Sequence, residues 1–520
     1  MPLYSTVPKA ANLLALLFLL SCSSTPTMES GTLKPIRAVI DLNIGEEKKI
    51  ELSNGSLATV KLLDIACVRD EFLSAVRSAT VRVRVNGETV TLNSGNYNLP
   101  VTVSGVRIDC PVTRDYYTNA MQDSWGLDKD ARLRLWPGQG PLIHADAFAY
   151  PARQLWFAND TQMSNEPVYV NGCENPEAEE TYYHSGLDIG GCEGLVEIIS
   201  ASAGIVIQCG DSVLSGYENY PLEPRYESVY VLGEYGWLYR YSHLKSIEDR
   251  LKPGTEVKRG ERIGTLGKEG NSGGWAHLHF EIEAVQPSGR WGTEEGYAYF
   301  WESYLNTYKP ALIAVARPHA LIGTGEVLTL DGSKSRSLAG EIESYEWIFT
   351  QGATAKGAVQ QRTYDTPGEY SEVLKVTDSQ GNTDYDFTPV VVIDRDNPLQ
   401  PLPAIHAAYY PTFGIKPGDP ITFHVRSFNF DIGKETWDFG DGSPSVSVQS
   451  RVGYLWNHSK YLEMGIDIQA NAMDPRGYAE TVHSFAKAGD YLVRVERTGD
   501  NGRRAVTHLH VHVADGKKKH

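Results

Sequence analysis

The feature that most constrains the fold of this chain is a recurring pattern of short alternating runs separated by glycine-containing turns. It is clearest in TVRVRVNGETVTL, residues 80–92, where Asn86-Gly87 separates two runs rich in β-branched residues. Alternation with a period of two is typical of half-buried strands, and an Asn-Gly pair between such runs indicates a tight hairpin. Long helix-forming runs are few, so the sequence predicts a mainly β protein with little helix.

The length and net charge of the chain indicate how many domains it has and which partners it can bind. At 520 residues the chain is too long for one hydrophobic core and predicts several domains. Hydrophobic residues make up 41% of it and charged residues 22%, which is typical of a globular protein. The formal net charge of -17 gives no electrostatic basis for binding nucleic acid, so we expect no such partner.

The first residues indicate export. Lys9 precedes an apolar run, residues 10–20, that is too short to span a bilayer. The LLSC at residues 19–22 resembles a bacterial lipoprotein box, and Ser23 after the cysteine fits the sorting rule for the outer membrane. We expect a signal peptide at residues 1–22, a lipid anchor on Cys22, and a location in the cell envelope, at the outer membrane facing the periplasm or the cell surface. An ordinary cleaved signal peptide is the alternative.

Export also permits disulfides, and five cysteines follow Cys22. We expect Cys67 to pair with Cys110. One more bridge is expected among three further cysteines, with the pairing left open: Cys173, Cys192 and Cys209.

The remaining chain divides by composition and pattern. Residues 23–35, rich in Ser, Thr, Pro and Gly at their start, predict a flexible tether. Residues 36–150 predict an N-terminal β-domain that acts as a spacer or lid. Residues 151–312 carry the candidate chemistry, and strand-like runs recur through residues 313–396 and 397–515.

The two C-terminal segments resemble a known module. LTLDGSKSRSLAGEIESYEWIFTQG and TYDTPGEYSEVLKVTDSQGNTDYD in the first, and WDFGDGS and HSFAKAGDYLVRVERTGDNG in the second, are similar to polycystic kidney disease (PKD) repeats. The resemblance implies two immunoglobulin-like β-sandwiches that act as spacers or make carbohydrate or protein contacts, without catalysis. The second copy carries an insertion, residues 444–482, between its two signature pieces.

Two motifs supply a candidate metal site. In HLHFEI, His277 and His279 alternate within an apolar run that predicts a strand, so both side chains point to one face. In HSGLDIGG, the glycines around His184 and Asp188 make a regular helix unfavourable and predict a bent strand or loop. Two imidazoles and a carboxylate with a fourth position open are the layout of catalytic zinc rather than structural zinc.

With these motifs in place, residues 182–283 resemble the lysostaphin-type zinc metallopeptidases, which are peptidoglycan endopeptidases. Matching stretches between the motifs are ISASAGIVIQCG, YGWLYRYSHL and LKPGTEVKRGERIGTLGKEGNSGG. The resemblance implies an antiparallel β catalytic domain with Zn2+ bound by His184, Asp188 and His279, and with His243 and His277 as the catalytic histidines. Trp275-Ala276 replaces the Gly-Pro that commonly precedes HLHFE, which affects the entry to the strand and the substrate groove.

A second histidine cluster serves as a control. THLHVHV places His508, His510 and His512 on one face of a predicted strand. It has no His-x-x-x-Asp partner and ends a sandwich repeat, so we expect a polar outer face, with adventitious metal binding as the alternative.

The sequence therefore predicts a zinc-dependent endopeptidase that cuts stem peptides or cross-links of peptidoglycan, and the envelope location favours D-alanyl-diaminopimelate links over glycine bridges. No HExxH glutamate is present, so His277 is assigned as general base and His243 as transition-state stabiliser or proton donor, two roles that could be exchanged. The alternatives are a silent scaffold that activates another wall hydrolase and a secreted or surface metallopeptidase that acts on proteins.

Overall fold

The computed structural model of the chain describes residues 32–72, 74–166, 181–398, 400–430, 433–454, 465, 467–499 and 502–515. The predicted signal peptide with its Cys22, the predicted tether up to residue 31, and Cys173 lie outside these residues. Within the described ranges, no helix is both long and apolar enough to cross a membrane. Strands dominate, which confirms the predicted mainly β class.

The N-terminal region consists of two four-stranded antiparallel sheets that share a core. Its strands are β1 Ala38–Leu42, β2 Glu47–Glu51, β3 Leu57–Arg69, β4 Val76–Val85, β5 Glu88–Asn93, β6 Val101–Val103, β7 Val106–Thr113 and β8 Ala131–Pro137, with a 3-10 turn at Arg114–Tyr117. The sheet orders are β1-β8-β7-β6 and β2-β3-β4-β5. Val81 and Val83 on one sheet and Leu133 on the other belong to one buried cluster, as face-to-face packing requires.

The central region carries the candidate site on a large antiparallel sheet. Its elements are β9 Thr161–Gln162, β10 Leu187–Gly190, β11 Glu197–Ile199, β12 Gly204–Cys209, β13 Ser212–Val213, β14 Val229–Gly233, β15 Leu238–Ser242, β16 Leu244–Ile247, β17 Glu256–Val257, β18 Arg262–Leu266, β19 His277–Val285, β20 Trp291–Thr293 and helix α1 Tyr297–Tyr308. The main order is β13-β12-β14-β15-β19-β10-β9, and β11-β18-β16 form a second sheet. Helix α1 packs Phe300 against Phe280 of β19, which anchors the sheet behind the site.

The C-terminal region contains two sandwiches that meet in one sheet. The first has β21 Leu312–Ile313, β22 Ala320–Gly323, β23 Leu328–Asp331, β24 Arg336–Ser337, β25 Ile342–Ile348, β26 Thr354–Lys356, β27 Val359–Arg362, β28 Gly368–Asp378 and β29 Thr383–Ile393. The second has β30 Ala404–Tyr410, β31 Ile421–Phe428, β32 Glu435–Asp438, β33 Val446–Val448, helix α2 Ile468–Ala472, β34 Ala479–His483, β35 Gly489–Thr498 and β36 Arg504–Val513. The shared sheet runs β22-β29-β28-β36-β35-β32-β33, and β30-β31-β34 cover the second core. Trp347 and Trp437 are fully buried, one in each core, as expected for sandwich centres.

The predicted hairpin at Asn86-Gly87 is confirmed. Val85 pairs with Glu88 across the turn, and Asn86 and Gly87 have φ angles of 49° and 92°. Both angles are positive, as a two-residue type I′ turn requires.

The expected Cys67–Cys110 disulfide is wrong, because both residues are free thiols. Cys110 lies in the core of the N-terminal sandwich, whereas Cys67 packs on a different cluster, and its Sγ lies 3.4 Å from Asp115 Oδ1. Cys192 and Cys209 are likewise free thiols and do not pair with each other, whereas Cys173, the third cysteine considered for that bridge, lies outside the described residues.

Two further expectations need correction. The tether does not extend to residue 35, because Leu33 donates its N–H to Glu234 O at 3.1 Å and packs on the central core. The histidine face of β36 is not a fully outer face either. His508 Nδ1 lies 3.0 Å from Ser371 Oγ, and His510 Nδ1 lies 3.5 Å from Asp384 Oδ1, so this face turns partly toward the first sandwich.

Candidate active site

Adjacent strands β10, β19 and β15 bring predicted site residues together. Asp188 on β10 pairs with His279 on β19, and Ser242 at the end of β15 pairs with His279 from the other side. His277 lies two positions before His279, on the same face. His243 directly follows β15 with a left-handed backbone, φ 64°, a conformation that costs about 1–2 kcal/mol in a residue with a Cβ.

His184 reaches the same point from the bent segment before β10. Gly186 in that segment has a φ of +80°, and a Cβ on it would lie 2.7 Å from Phe280 O and 3.3 Å from His279 Cε1. Glycine therefore lets this segment approach β19 closely. The non-helical path predicted for HSGLDIGG is confirmed, and all five predicted site residues lie together.

Three of these side chains converge on one point as a metal site requires. His184 Nε2, Asp188 Oδ1 and His279 Nδ1 are separated by 2.9, 3.1 and 3.3 Å, and all three residues are buried. A tetrahedral zinc site with ligand distances of about 2.0 Å has edges of about 3.3 Å, so this donor set fits zinc. In the described part of the chain, no other trio of His, Cys or acidic residues brings its donor atoms this close, the C-terminal histidines included.

Backbone carbonyl groups decide which nitrogen of three histidines carries the proton. The Nδ1 atoms hydrogen-bond to carbonyl oxygens in three pairs: His184 with Met163 at 3.3 Å, His243 with Glu269 at 2.7 Å, and His277 with Trp275 at 3.1 Å. A carbonyl oxygen only accepts, so in each neutral ring Nδ1 carries the proton and Nε2 keeps its lone pair. His279 is oriented in the opposite sense, with Nε2 3.7 Å from Glu281 Oε2 and Nδ1 toward the donor set.

The surroundings of the two remaining histidines, His243 and His277, favour the neutral form of both rings. Burial lowers the pKa of His277 to about 4 although nearby Asp188 acts in the opposite direction. Burial, together with the neighbouring His277 and His279, also holds the pKa of His243 well below its usual value. Both rings are therefore neutral at pH 7.

Within the donor set, the pKa values of Asp188 and His279 are shifted in opposite directions. Burial would raise the pKa of Asp188, but the adjacent His184 and His277 hold it well below its usual value. Burial would lower the pKa of His279, but its hydrogen bond to Asp188 raises that pKa to about 9. A cation held by His184, Asp188 and His279 would take the place of the proton on His279, so its affinity would fall in acid.

Sequence reasoning missed the groups that hold the histidines. Glu281 could have been found, because it lies two residues after His279 in HLHFEI and so faces the same way. The carbonyls of Met163 and Glu269 left no signal, because any residue type supplies the same oxygen.

The site lies in a cavity of about 950 Å³ whose walls come from all three regions of the chain. Asp123 comes from the N-terminal region, and Glu223 and Arg240 come from the central sheet. Glu369 and His406 come from the first and second sandwich, respectively. The groove is thus lined by residues of the flanking regions as well as by residues of the central sheet.

A buried His-Asp-His donor set with two neutral histidines beside it, in a groove on an antiparallel sheet, is the kind of site that metallopeptidases use. The family comparisons agree with this class. Residues 182–289 match the model described as peptidase family M23, and residues 310–392 match that described as PKD domain. The chain therefore contains an M23 peptidase domain followed by a PKD domain, which confirms the lysostaphin-type resemblance and the PKD resemblance of the first of the two repeats.

Individual relatives cover small parts of the chain. Collagenase ColA of Clostridium perfringens is 31% identical over 87 residues, 17% of this chain and 8% of that protein. Microbial collagenase of Vibrio alginolyticus is 31% identical over 93 residues, 17% of this chain and 11% of that protein. The chain thus spans only a small part of the length of these relatives.

The solved structures to which the chain is similar include two peptidases. Lysostaphin from Staphylococcus simulans is 18% identical, with a TM-score of 0.22, and the match covers 46% of this chain and 91% of that one. A putative glycyl-glycine endopeptidase, LytM, from Ruminococcus gnavus is 19% identical, with a TM-score of 0.21, and the match covers 31% and 61%. The assignment of the domain rests on the family model.

Proposed function

We propose that the chain is a zinc-dependent endopeptidase that hydrolyses peptide bonds in peptidoglycan stem peptides or cross-links. The observation that carries the proposal is the convergence of His184 Nε2, Asp188 Oδ1 and His279 Nδ1 inside the M23 domain. Zinc held by these atoms would lower the pKa of water to about 7 and polarise the scissile carbonyl.

His277 and His243 divide the proton transfers. Nε2 of His277 lies 3.4 Å from Asp188 Oδ2, beside the donor set, and its lone pair accepts the proton of the attacking water as general base. The His243 ring centroid is 4.7 Å from that of His277. Because its Nδ1–H is held by Glu269 O, His243 donates from Nε2 to the oxyanion or the leaving amine only after it has taken up a proton.

The location belongs to the same proposal. The lipoprotein-like residues 19–22 support a lipid on Cys22 and a position at the outer membrane. There, D-alanyl-diaminopimelate cross-links are the accessible substrate, and the sandwich repeats contact carbohydrate or protein of the envelope.

Mass spectrometry of digested peptidoglycan tests this function. The zinc-loaded full chain is incubated with cross-linked sacculi, and the released muropeptides are compared with those from the His279→Ala variant. We expect cross-linked dimers to fall and monomers to rise with the wild type alone. An unchanged profile beside an active control hydrolase would contradict the proposal, and the new peptide ends identify the bond.

A further inference from the structure

The segment that leads into the histidine strand, residues 270–276, is held by the second sandwich. Arg426, fully buried on β31, donates to Gly274 O at 2.7 Å. The same guanidinium donates to Asn471 O at 2.8 Å and Ala472 O at 3.0 Å, so it ties helix α2 to this segment. Buried charge-assisted hydrogen bonds of this kind fix both partners.

Two further contacts extend the attachment. Tyr478 Oη accepts the N–H of Ala276 at 2.7 Å, one residue before His277, and shares a 2.7 Å hydrogen bond with His406 Nδ1. Gln469 Nε2 donates to Gly270 O at 3.1 Å. Tyr478 and Gln469 both belong to the insertion of the second repeat.

Trp275 connects this attachment to the catalytic pair. Its indole stacks on the His277 ring, with centroids 3.8 Å apart and planes inclined by 17°, and its carbonyl accepts the His277 Nδ1–H. The indole also makes an edge-to-face contact with the His406 ring, with centroids 5.3 Å apart. One residue therefore fixes both the plane and the tautomer of His277.

We propose that the second sandwich is a working part of the active site and that Trp275 is the positioning residue through which it fixes the ring of His277. This inference rests on the proposed function for its kinetic consequence, but the geometry can be tested without it. The catalytic unit is then the M23 domain together with residues 404–515, whose His406, Phe428 and Ala472 also line the cavity.

The kinetic test uses two tyrosines of the same repeat. Tyr478→Phe removes only the hydroxyl that holds Ala276, and Tyr491→Phe removes a hydroxyl that donates to Lys487 O at 2.9 Å, with no part in the cavity. We expect Tyr478→Phe to lower kcat about tenfold, with KM and zinc content unchanged, because misplaced catalytic groups cost rate rather than binding. Equal kcat values in the two variants would overturn the proposal.

Substitution of Trp275, which stacks on His277, provides a second kinetic test. Trp275→Leu removes the ring, and Trp275→Phe keeps an aromatic face against His277. We expect the first to lose kcat by about ten- to a hundredfold and the second to recover most of it, at equal zinc content. Equal kcat losses for Leu and Phe would contradict a positioning role.

A spectroscopic readout separates this inference from the proposed function. In the full zinc-loaded chain labelled with 13C at histidine, the Trp275 ring current shifts the His277 ring signal upfield, and His277→Ala identifies that signal. We expect Tyr478→Phe to move the signal and Tyr491→Phe to leave it in place. A His277 signal that responds to neither Trp275→Leu nor Tyr478→Phe overturns the inference, whether or not the wild type cuts sacculi.

Discussion

His277 and His279 occupy alternate positions on one strand, yet their neighbours give them different tasks. His279 directs Nδ1 toward Asp188, whereas His277 donates its Nδ1–H to a backbone carbonyl and so leaves Nε2 able to accept a proton. We predict that His277→Ala lowers kcat by about 10²–10⁴ and retains zinc, and that His279→Ala loses the metal as well. Steady-state kinetics with metal analysis checks both.

The outcome also separates an enzyme from a scaffold. A scaffold that activates another hydrolase would function unchanged with alanine at position 277. Wild-type activity in His277→Ala, or loss of zinc equal to that of His279→Ala, would refute the division of tasks.

Gly186 is a second residue that the site requires, because a side chain at this position would clash with β19. Gly186 and Gly260 share a φ of +80°, but a Cβ at Gly260 meets nothing within 4 Å. Alanine at either position pays the left-handed backbone cost of about 1–2 kcal/mol, and Gly186→Ala adds about 1–3 kcal/mol from its clash with Phe280 O. Urea unfolding of the two variants measures the difference. Equal losses would show that close approach to β19 is not required.

Among the elements, the loop between β20 and α1 locks the N-terminal sandwich to the peptidase sheet. Glu294 accepts from Arg37 at 2.9 Å and from Arg134 at 3.1 Å, and all three side chains are largely buried. Removal of one partner from such a pair costs about 3–5 kcal/mol, so Glu294→Gln should destabilise the protein by that amount. Exposed Glu256→Gln is the control, with a change within about 0.5 kcal/mol in urea unfolding.

The same carboxylate predicts a pH dependence. Burial would raise the pKa of Glu294, but Arg37 and Arg134 lower it to about 2, below its usual 4.5. Its contribution to stability is therefore present above pH 4.5 and is lost as the pH falls toward 2. The free energy of unfolding of the wild type should decrease across this range more steeply than that of Glu294→Gln. Parallel curves would contradict the assignment.

The elements also show what local sequence can predict. Strand β19, the bent path before β10 and the Asn86-Gly87 turn follow from residue periodicity and from glycine, which act over a few neighbours. The hold of Arg426 on Gly274 could not be predicted, because it joins residues far apart in sequence through an insertion without a repeating pattern. The prediction of a Cys67–Cys110 disulfide was wrong for the same reason, because composition does not show whether two cysteines far apart in sequence lie in the same core.

At the scale of the molecule, residues of all three regions of the chain form the groove. The M23 domain supplies the donor set, the N-terminal sandwich and the PKD domain each add a wall, and the second sandwich holds the segment before β19. The repeats are therefore more than spacers in this arrangement. The proposed peptidase activity depends first on whether zinc binds at His184, Asp188 and His279.

The most direct test is anomalous diffraction at the zinc edge from crystals of the full chain grown with zinc. We predict a peak about 2.0–2.1 Å from His184 Nε2, Asp188 Oδ1 and His279 Nδ1. No peak at that point, or zinc bound only at the C-terminal His510 and His512, would contradict it.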